Sequence, residues 1–230
     1  MIPLSCRRVK PILFITGTDT GVGKTVLTAL LAQFLRERGV RVAAFKPLCS
    51  GGRDDARVLH AALGGALTLD AINPWHFRAP IAPTLAAARE GKSVSQAQVL
   101  AHIRRAGNDF DVTLVEGAGG LLSPLGKNFD SRDLMVKLGA SPIIVGPNKL
   151  GVVNQVLLTL EALPKNLRAK AKVVLMSPAK ADAATTSNAK LLGKFLSPQN
   201  IVTLPWLGEV FEPAKALNMP RVQRSLAELV

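Results

Sequence analysis

The nine residues Gly17-Thr-Asp-Thr-Gly-Val-Gly-Lys-Thr25 restrict this chain more than any other stretch. They follow a short apolar run, Ile12 to Thr16, of the kind that forms a buried strand, and they lead into a helical pattern from Thr25 to Arg38. In that pattern Leu27, Leu30, Leu31, Phe34 and Leu35 share one stripe, and Gly39 stands where a helix would end. A glycine-bearing turn between a strand and a helix points consecutive backbone N–H groups inward, while the helix adds its positive N-terminal end. Such a turn cradles phosphate oxygens. Gly21 and Gly23 allow backbone angles and a close approach that a Cβ would block. Lys24 can reach the outer phosphates and the Thr25 hydroxyl can ligate Mg²⁺. One departure stands out: the first glycine of the usual G-x4-G-K-T spacing would fall at Thr18, and the glycine is instead Gly17.

The rest of the chain repeats the strand-then-helix theme. Further strand candidates are Val40 to Phe45, Val112 to Glu116, Pro142 to Gly146, Lys172 to Met176 and Ile201 to Leu204. Most are continuously apolar, as strands covered on both faces must be. Helical patterns fall at Asp54 to Leu63, Ser95 to Ala106, Ser131 to Leu138, Val152 to Leu163, Ser187 to Phe195 and Val222 to Leu229. This alternation predicts an α/β fold of the P-loop NTPase type, with a mainly parallel central sheet and helices on both faces. Ligands of such sheets bind beyond the C-terminal strand ends. The stretch Asn73 to Pro83 reads as an ordered irregular loop able to wall the site.

The 230 residues suit one domain, 1–230, with residues 1–10 as a loose basic extension. No apolar run reaches the length needed to cross a bilayer, and the run after the basic N-terminus is too short for a signal peptide. A cytoplasmic protein without membrane contact is expected. Two cysteines, Cys6 and Cys49, make no disulfide framework, and Cys49 reads as a small apolar filler. The three histidines lack metal-ligand spacing, which argues against a zinc site or a Ser-His-Asp triad. The formal charge of +13 is spread along the chain, with one tight cluster at Arg7, Arg8 and Lys10. Aromatic residues are 4% and tyrosine is absent, so single-strand stacking platforms are scarce and no nucleic-acid partner is expected.

Two more segments carry chemistry. In Val112-Thr-Leu-Val-Glu-Gly-Ala-Gly-Gly120 an apolar strand ends in a carboxylate, placing Glu116 beside the loop as a metal-holding group. In Phe45-Lys-Pro-Leu-Cys-Ser-Gly51, Lys46 ends a strand and would point a second cation into the same cleft. Asp54 and Asp55 open the next helix, where carboxylates are favoured by the dipole in any case.

Taken together, GTDTGVGKT, KPLCSG, the Asp-Asp-Ala step, VEGAGGLLSPL, KLGVVNQ and LPWLGE occur in the order and spacing of the dethiobiotin synthetase family, which the chain resembles from about Phe14 to Glu212. The resemblance implies binding of ATP, or another nucleoside triphosphate, by Thr20, Gly21, Val22, Gly23, Lys24, Thr25 and Val26, with Gly117, Ala118 and Gly119 nearby. It implies Mg²⁺ ligands at Thr25, Asp55 and Glu116, with Asp55 preferred over Asp54 because it precedes Ala56. Lys46 and Lys24 take the catalytic positions, and Ser50 contacts substrate. The base pocket falls at Met176, Ser177, Pro205, Trp206, Leu207 and Glu212. Members are homodimers, so Gly151, Val152, Val153 and Asn154 would serve the partner's substrate carboxylate. The implied substrates are 7,8-diaminononanoate and CO₂, joined into a cyclic urea through a carbamate and a carbamic-phosphoric anhydride. The chain departs where the family carries a base-contacting asparagine, since Met176 has no amide, and Gln155 replaces a frequent histidine. The competing reading is a partition-type ATPase with a basic nucleic-acid-binding surface. Those proteins carry an extra lysine early in the loop, where this chain has Thr16-Gly17-Thr18.

Overall fold

A computed structural model of the chain describes residues 10–230. The expected basic extension, with Cys6, Arg7 and Arg8, lies outside the described residues apart from Lys10, whose ammonium donates to the Asn108 carbonyl. The strands are β1 (Ile12–Gly17), β2 (Val42–Phe45), β3 (Leu48–Ser50), β4 (Trp75–Phe77), β5 (Val112–Gly120), β6 (Pro124–Gly126), β7 (Phe129–Asp130), β8 (Ser141–Pro147), β9 (Lys172–Met176) and β10 (Ile201–Leu204). The helices are α1 (Lys24–Arg36), α2 (Asp54–Ala62), α3 (Leu69–Ile72), α4 (Pro83–Arg89), α5 (Gln96–Ala106), α6 (Ser131–Leu138), α7 (Val152–Glu161), α8 (Lys165–Arg168), α9 (Ala183–Leu192), α10 (Pro213–Leu217) and α11 (Pro220–Ala227).

Six strands form one parallel sheet in the order β10-β9-β8-β1-β5-β2. β1 sits inside it, with β5 on one side and β8 on the other, so the chain's course reverses beside β1. Successive residues of a strand face opposite sides, and here both sides are dry. Phe14, Phe45, Val115 and Ile144 pack toward α4 to α9, whereas Ile15, Ala44, Leu114 and Val145 pack toward α1, α2, α10 and α11. This accounts for the unbroken apolar strands: neither face has a polar partner to satisfy.

Helix ends follow local chemistry. Gly39 adopts φ +79°, and the Val40 N–H returns to the Leu35 carbonyl, closing the end of α1. The helix expected from Ser187 to Phe195 instead begins at Ala183, because Asp182 and Thr185 form a capping box that starts it a turn earlier. It stops before Gly193. The stretch Asn73 to Pro83, expected to be irregular, contains β4, which pairs with β3 in parallel. Trp75 there meets His102 edge to face, a long-range contact that no local pattern announces.

Leu30 of α1 is fully buried against the sheet. Leu30→Ala is expected to lower the free energy of unfolding by about 3 kcal/mol through a cavity, measured as a shift of the denaturant midpoint at unchanged slope.

Candidate functional site

Strand register assembles the site. Ile15 pairs with Glu116 and Phe45 with Val115, so the residues leaving β1 and β2 lie level with Glu116 at the C-terminal edge of the sheet. Leu114 and Ala44 face the α1 side, and two residues further along each strand Glu116 and Lys46 take that same side. There the start of α1 brings Thr25 and the start of α2 brings Asp55.

The contacts are close. Lys46 Nζ lies 2.6 Å from Glu116 Oε1, 2.9 Å from Asp55 Oδ2 and 3.1 Å from the Gly117 carbonyl. Thr25 Oγ1 donates to Glu116 Oε1 at 2.8 Å. Lys46 and Glu116 are only 4% and 1% exposed. Burial alone would lower the Lys46 pKa, but the charges of Glu116 and Asp55 and their hydrogen bonds overcome it and raise it. The two carboxylates therefore favour the ammonium form of Lys46. Burial would likewise raise the Asp55 pKa, and Lys46 outweighs that to lower it. Asp54 takes a different course, pairing with Arg57 on the exposed face of α2. The geometry thus separates two neighbouring aspartates that share the first turn of α2, and it sets Asp55, the one the resemblance prefers, beside Lys46.

The phosphate loop is held from several sides. A Cβ on Gly17 would stand 2.7 Å from Val22 Cγ2 and 2.9 Å from the Asp19 carbonyl, so the displaced glycine is sterically required. Thr18, at the usual glycine position, ties its N–H to the Val145 carbonyl of β8. Gly23 has φ +100°, and a Cβ there would meet the Met176 side chain at 3.1 Å. Lys24 Nζ donates to the Asp19 carbonyl, as the loop folds back over it. Burial, then the charge of Lys46, lowers the Lys24 pKa to about 8.

Two cavities open from the loop. The larger, about 750 Å³, is lined by Thr20, Gly21, Gly23, Lys24, Thr25, Val26, Lys46, Ser50, Asp55, Glu116, Ala118 and Gly119. Pro80 to Pro83 form its far wall, together with Ser123 and Pro124. Cys49 also borders it, its thiol donating to the Gly52 carbonyl and its pKa raised chiefly by burial. The smaller, about 320 Å³, is lined by Val22, Met176, Ser177, Pro205, Trp206 and Leu207, with Pro147, Asn148, Pro178 and Phe211. Gly117 lies beneath the larger cavity, its carbonyl facing Lys46. Glu212 borders neither cavity: it precedes α10 and pairs with Lys215. Gly151 to Asn154 begin α7 and also line neither.

The donor set suits a hard divalent cation. Thr25, Asp55 and Glu116 offer oxygen alone, and Glu116 Oε2 is buried without any hydrogen-bond partner. Two carboxylates and a hydroxyl fit Mg²⁺, which keeps waters and shares phosphate oxygens. Sequence reasoning missed Asn148, whose buried amide gives its N–H to the Thr185 carbonyl and takes one from Asn188. It also missed Asn73 and Arg53. An asparagine bound to main-chain groups leaves no periodic signal to find.

Residues 12–214 match a family model described as an AAA domain. The chain is 38% identical over 211 residues to the ATP-dependent dethiobiotin synthetase BioD of Anaeromyxobacter dehalogenans strain 2CP-C, covering 90% of this chain and 95% of that one. The chain belongs to the dethiobiotin synthetase family. A BioD of Anaeromyxobacter sp. strain Fw109-5 is 45% identical over 155 residues, 66% of this chain and 70% of that one. A BioD of Bacillus velezensis is 40% identical over 153 residues, 64% and 66% of the two chains. Among solved structures, a ParA family ATPase of Chlorobium tepidum superposes with TM-score 0.57 at 14% identity, covering 96% of this chain and 98% of that one. The pNOB8 ParA bound to nonspecific DNA gives 0.59 at 15% identity, covering 96% and 97%. At such identities the likeness to ParA concerns the sheet and its helices alone, whereas the synthetase relatives match through the sequence itself.

The lowered pKa of Lys24 has a measurable consequence. A bound polyphosphate favours the ammonium, so it draws the pKa back up. Below about 8 the proton is already present; above it, binding must take a proton from solvent, and affinity falls as pH rises. Calorimetry in buffers of different ionisation enthalpy is expected to show proton uptake on nucleotide binding at pH about 9 and little at about 7. Lys24→Arg, which stays charged, is expected to abolish the uptake.

Proposed function

We propose that this protein is an ATP- and Mg²⁺-dependent cyclo-ligase that converts 7,8-diaminononanoate and CO₂ into dethiobiotin, releasing ADP and phosphate. The observation that carries this reading is the meeting of Lys24, Lys46, Asp55 and Glu116 in one cleft, in a chain 38% identical across nearly all of a dethiobiotin synthetase. Residues 1–230 act as one nucleotide-binding domain in this reading, in the cytoplasm. Among the described residues no helix is long and apolar enough to cross a membrane.

One amine of the substrate adds to CO₂, giving a carbamate and a proton. A carbamate oxygen attacks the γ-phosphorus, and the bond to the β-phosphate oxygen breaks as ADP leaves. The second amine then attacks the carbamoyl carbon, the C–O bond to phosphate breaks, and the five-membered urea closes. No protein nucleophile takes part, so the protein's contribution is placement and charge. The amides from Thr20 to Val26 hold the triphosphate, and Lys24 follows the outer phosphates. Lys46, kept positive by Glu116 and Asp55, faces the transferring group and the carbamate. Thr25, Asp55 and Glu116 would hold Mg²⁺, which when bound neutralises charge on the phosphate oxygens. Ser50 and the Pro80–Pro83 wall border the space for the diamine. The apolar cavity at Met176 and Trp206 takes the base.

The acting form is a homodimer in this reading. Leu122 and Leu158 are 51% and 63% exposed along one shallow depression, and Leu150, just before α7, is 85% exposed. A second copy covering this face would carry Gly151 to Asn154 toward its neighbour's substrate carboxylate, where a helix N-terminus favours an anion.

Phosphate release is expected only when nucleotide, 7,8-diaminononanoate and bicarbonate are all present; release independent of the diamine would refute the assignment. Lys46→Ala is expected to cut turnover by at least about 100-fold while a fluorescent nucleotide still binds. Leu158→Asp is expected to yield monomers by light scattering and to raise the KM for the diamine by about tenfold.

A further inference from the structure

Lys46 and Asp55 meet at 2.9 Å, and although strand register and the start of α2 bring them to the same side, those elements alone do not fix that distance. Lys46 lies one residue beyond β2, next to Pro47, where the sheet ladder has ended. Asp55 is the second residue of α2, and that helix starts without a side-chain cap: Arg53 precedes it and makes no capping bond. The link from Lys46 to α2 passes through Gly51 and Gly52, with φ +81° and +141°. Backbone of this kind does not fix its own course. Between the ends, β3 is held by β4 and the Gly51 N–H donates to the Phe77 carbonyl, but neither bond reaches Lys46 or the start of α2.

Those two ends are held by the loop after α3. The Lys46 N–H donates to the Ile72 carbonyl at 3.0 Å. The Lys46 carbonyl accepts from Asn73 Nδ2 at 2.7 Å. Asn73 Oδ1 in turn accepts from Arg53 Nε at 3.2 Å, and Arg53 Nη2 donates to the Asn73 and Leu69 carbonyls at 3.0 and 2.9 Å. Asp70 closes the group with an ion pair to Arg53 at 2.8 Å. Asn73 is completely buried, and its amide spends its donor on the residue bearing the ammonium and its acceptor on the residue before the carboxylates. An aspartate could fill the space and accept from Arg53 but could not donate to Lys46, and an alanine could do none of these, so neither could join the two chain segments.

We propose that Asn73 and Arg53 are positioning residues that set the Lys46–Asp55 geometry at the phosphoryl-transfer centre. They touch no substrate and act only through the main chain at Lys46 and the start of α2. The inference rests on the catalytic reading of Lys46 and Asp55 given above. A displacement of about 1 Å at such a centre can cost about 100-fold in rate, whereas the phosphate loop, built on β1 and α1, lies outside the network.

The test uses the full chain with Asn73→Asp, Asn73→Ala and Arg53→Lys. Asn73→Asp keeps the size and the acceptor for Arg53 but loses the donor to Lys46. Nucleotide affinity and stoichiometry are measured in EDTA, which counts intact phosphate loops. Rates are then expressed per intact site. Manganese affinity of the ADP complex is read by electron paramagnetic resonance. The expected result is kcat down by about 10- to 100-fold for both Asn73 variants, manganese affinity down about tenfold, and nucleotide affinity in EDTA unchanged. Arg53→Lys, which keeps the charge but loses the planar fork, is expected to weaken manganese binding as well. A rate per intact site equal to wild type, with only the melting temperature lowered, would overturn the proposal and leave Asn73 a packing residue. Should wild type itself release no phosphate with diamine and bicarbonate, the parent reading fails and the inference with it. An Asn73→Asp that matches an active wild type refutes the inference alone.

Discussion

A buried ammonium between two carboxylates governs this molecule. Removing Lys46 and Glu116 from water is expensive, and the arrangement stands because each charge has its opposite within hydrogen-bond reach, with the half-exposed Asp55 adding a second carboxylate to Lys46. Breaking such a buried pair by deleting one member typically costs about 3–5 kcal/mol, although the intact pair adds little net stability. Its value lies in specification. If β5 slipped by one residue against β1 and β2, Glu116 would turn to the opposite face among apolar side chains, and Lys46 would lose its buried partner and keep only Asp55. The charges thus reject the wrong register, and the right register builds the site.

The same division of labour extends to the nucleotide. The phosphates meet a loop whose shape is dictated by contact: Gly17 because Val22 and Asp19 crowd it, Gly23 because Met176 lies against it. In the proposed function the base would meet a mostly apolar shelf. The Asn148 amide there is already committed to α9, and the Ser177 N–H to the Leu204 carbonyl. Strong, directional binding falls on the charged end and looser packing on the other.

Much of this could be read from the chain. The strand, loop and helix around Gly17 to Thr25 appear directly as an unbroken apolar run that gives way to a glycine turn and then a 3.6-residue stripe, and Glu116 and Lys46 each end an apolar run. These features are local, which is why they are legible. The choice of Asp55 over Asp54 emerges from resemblance and then from geometry, because both sit in the same first turn of α2. What stayed hidden is non-local. β4 depends on pairing with β3, and Trp75 on a histidine in α5. Asn73 looks like a turn residue before proline until the fold brings Lys46 and Arg53 to it. Glu212 matches a motif by spacing, yet its side chain is drawn away by Lys215, three residues along.

The bond from the Thr18 N–H to the Val145 carbonyl continues the pairing of β1 with β8 one step past the strand's end. The cradle is for this reason an extension of the sheet ladder and shares its stiffness. That anchor is set when the sheet forms, ahead of any contact with a ligand, so the entrance of the loop is fixed before a polyphosphate arrives. Ordering the loop around an anion then costs less configurational entropy than it would for a turn free at both ends.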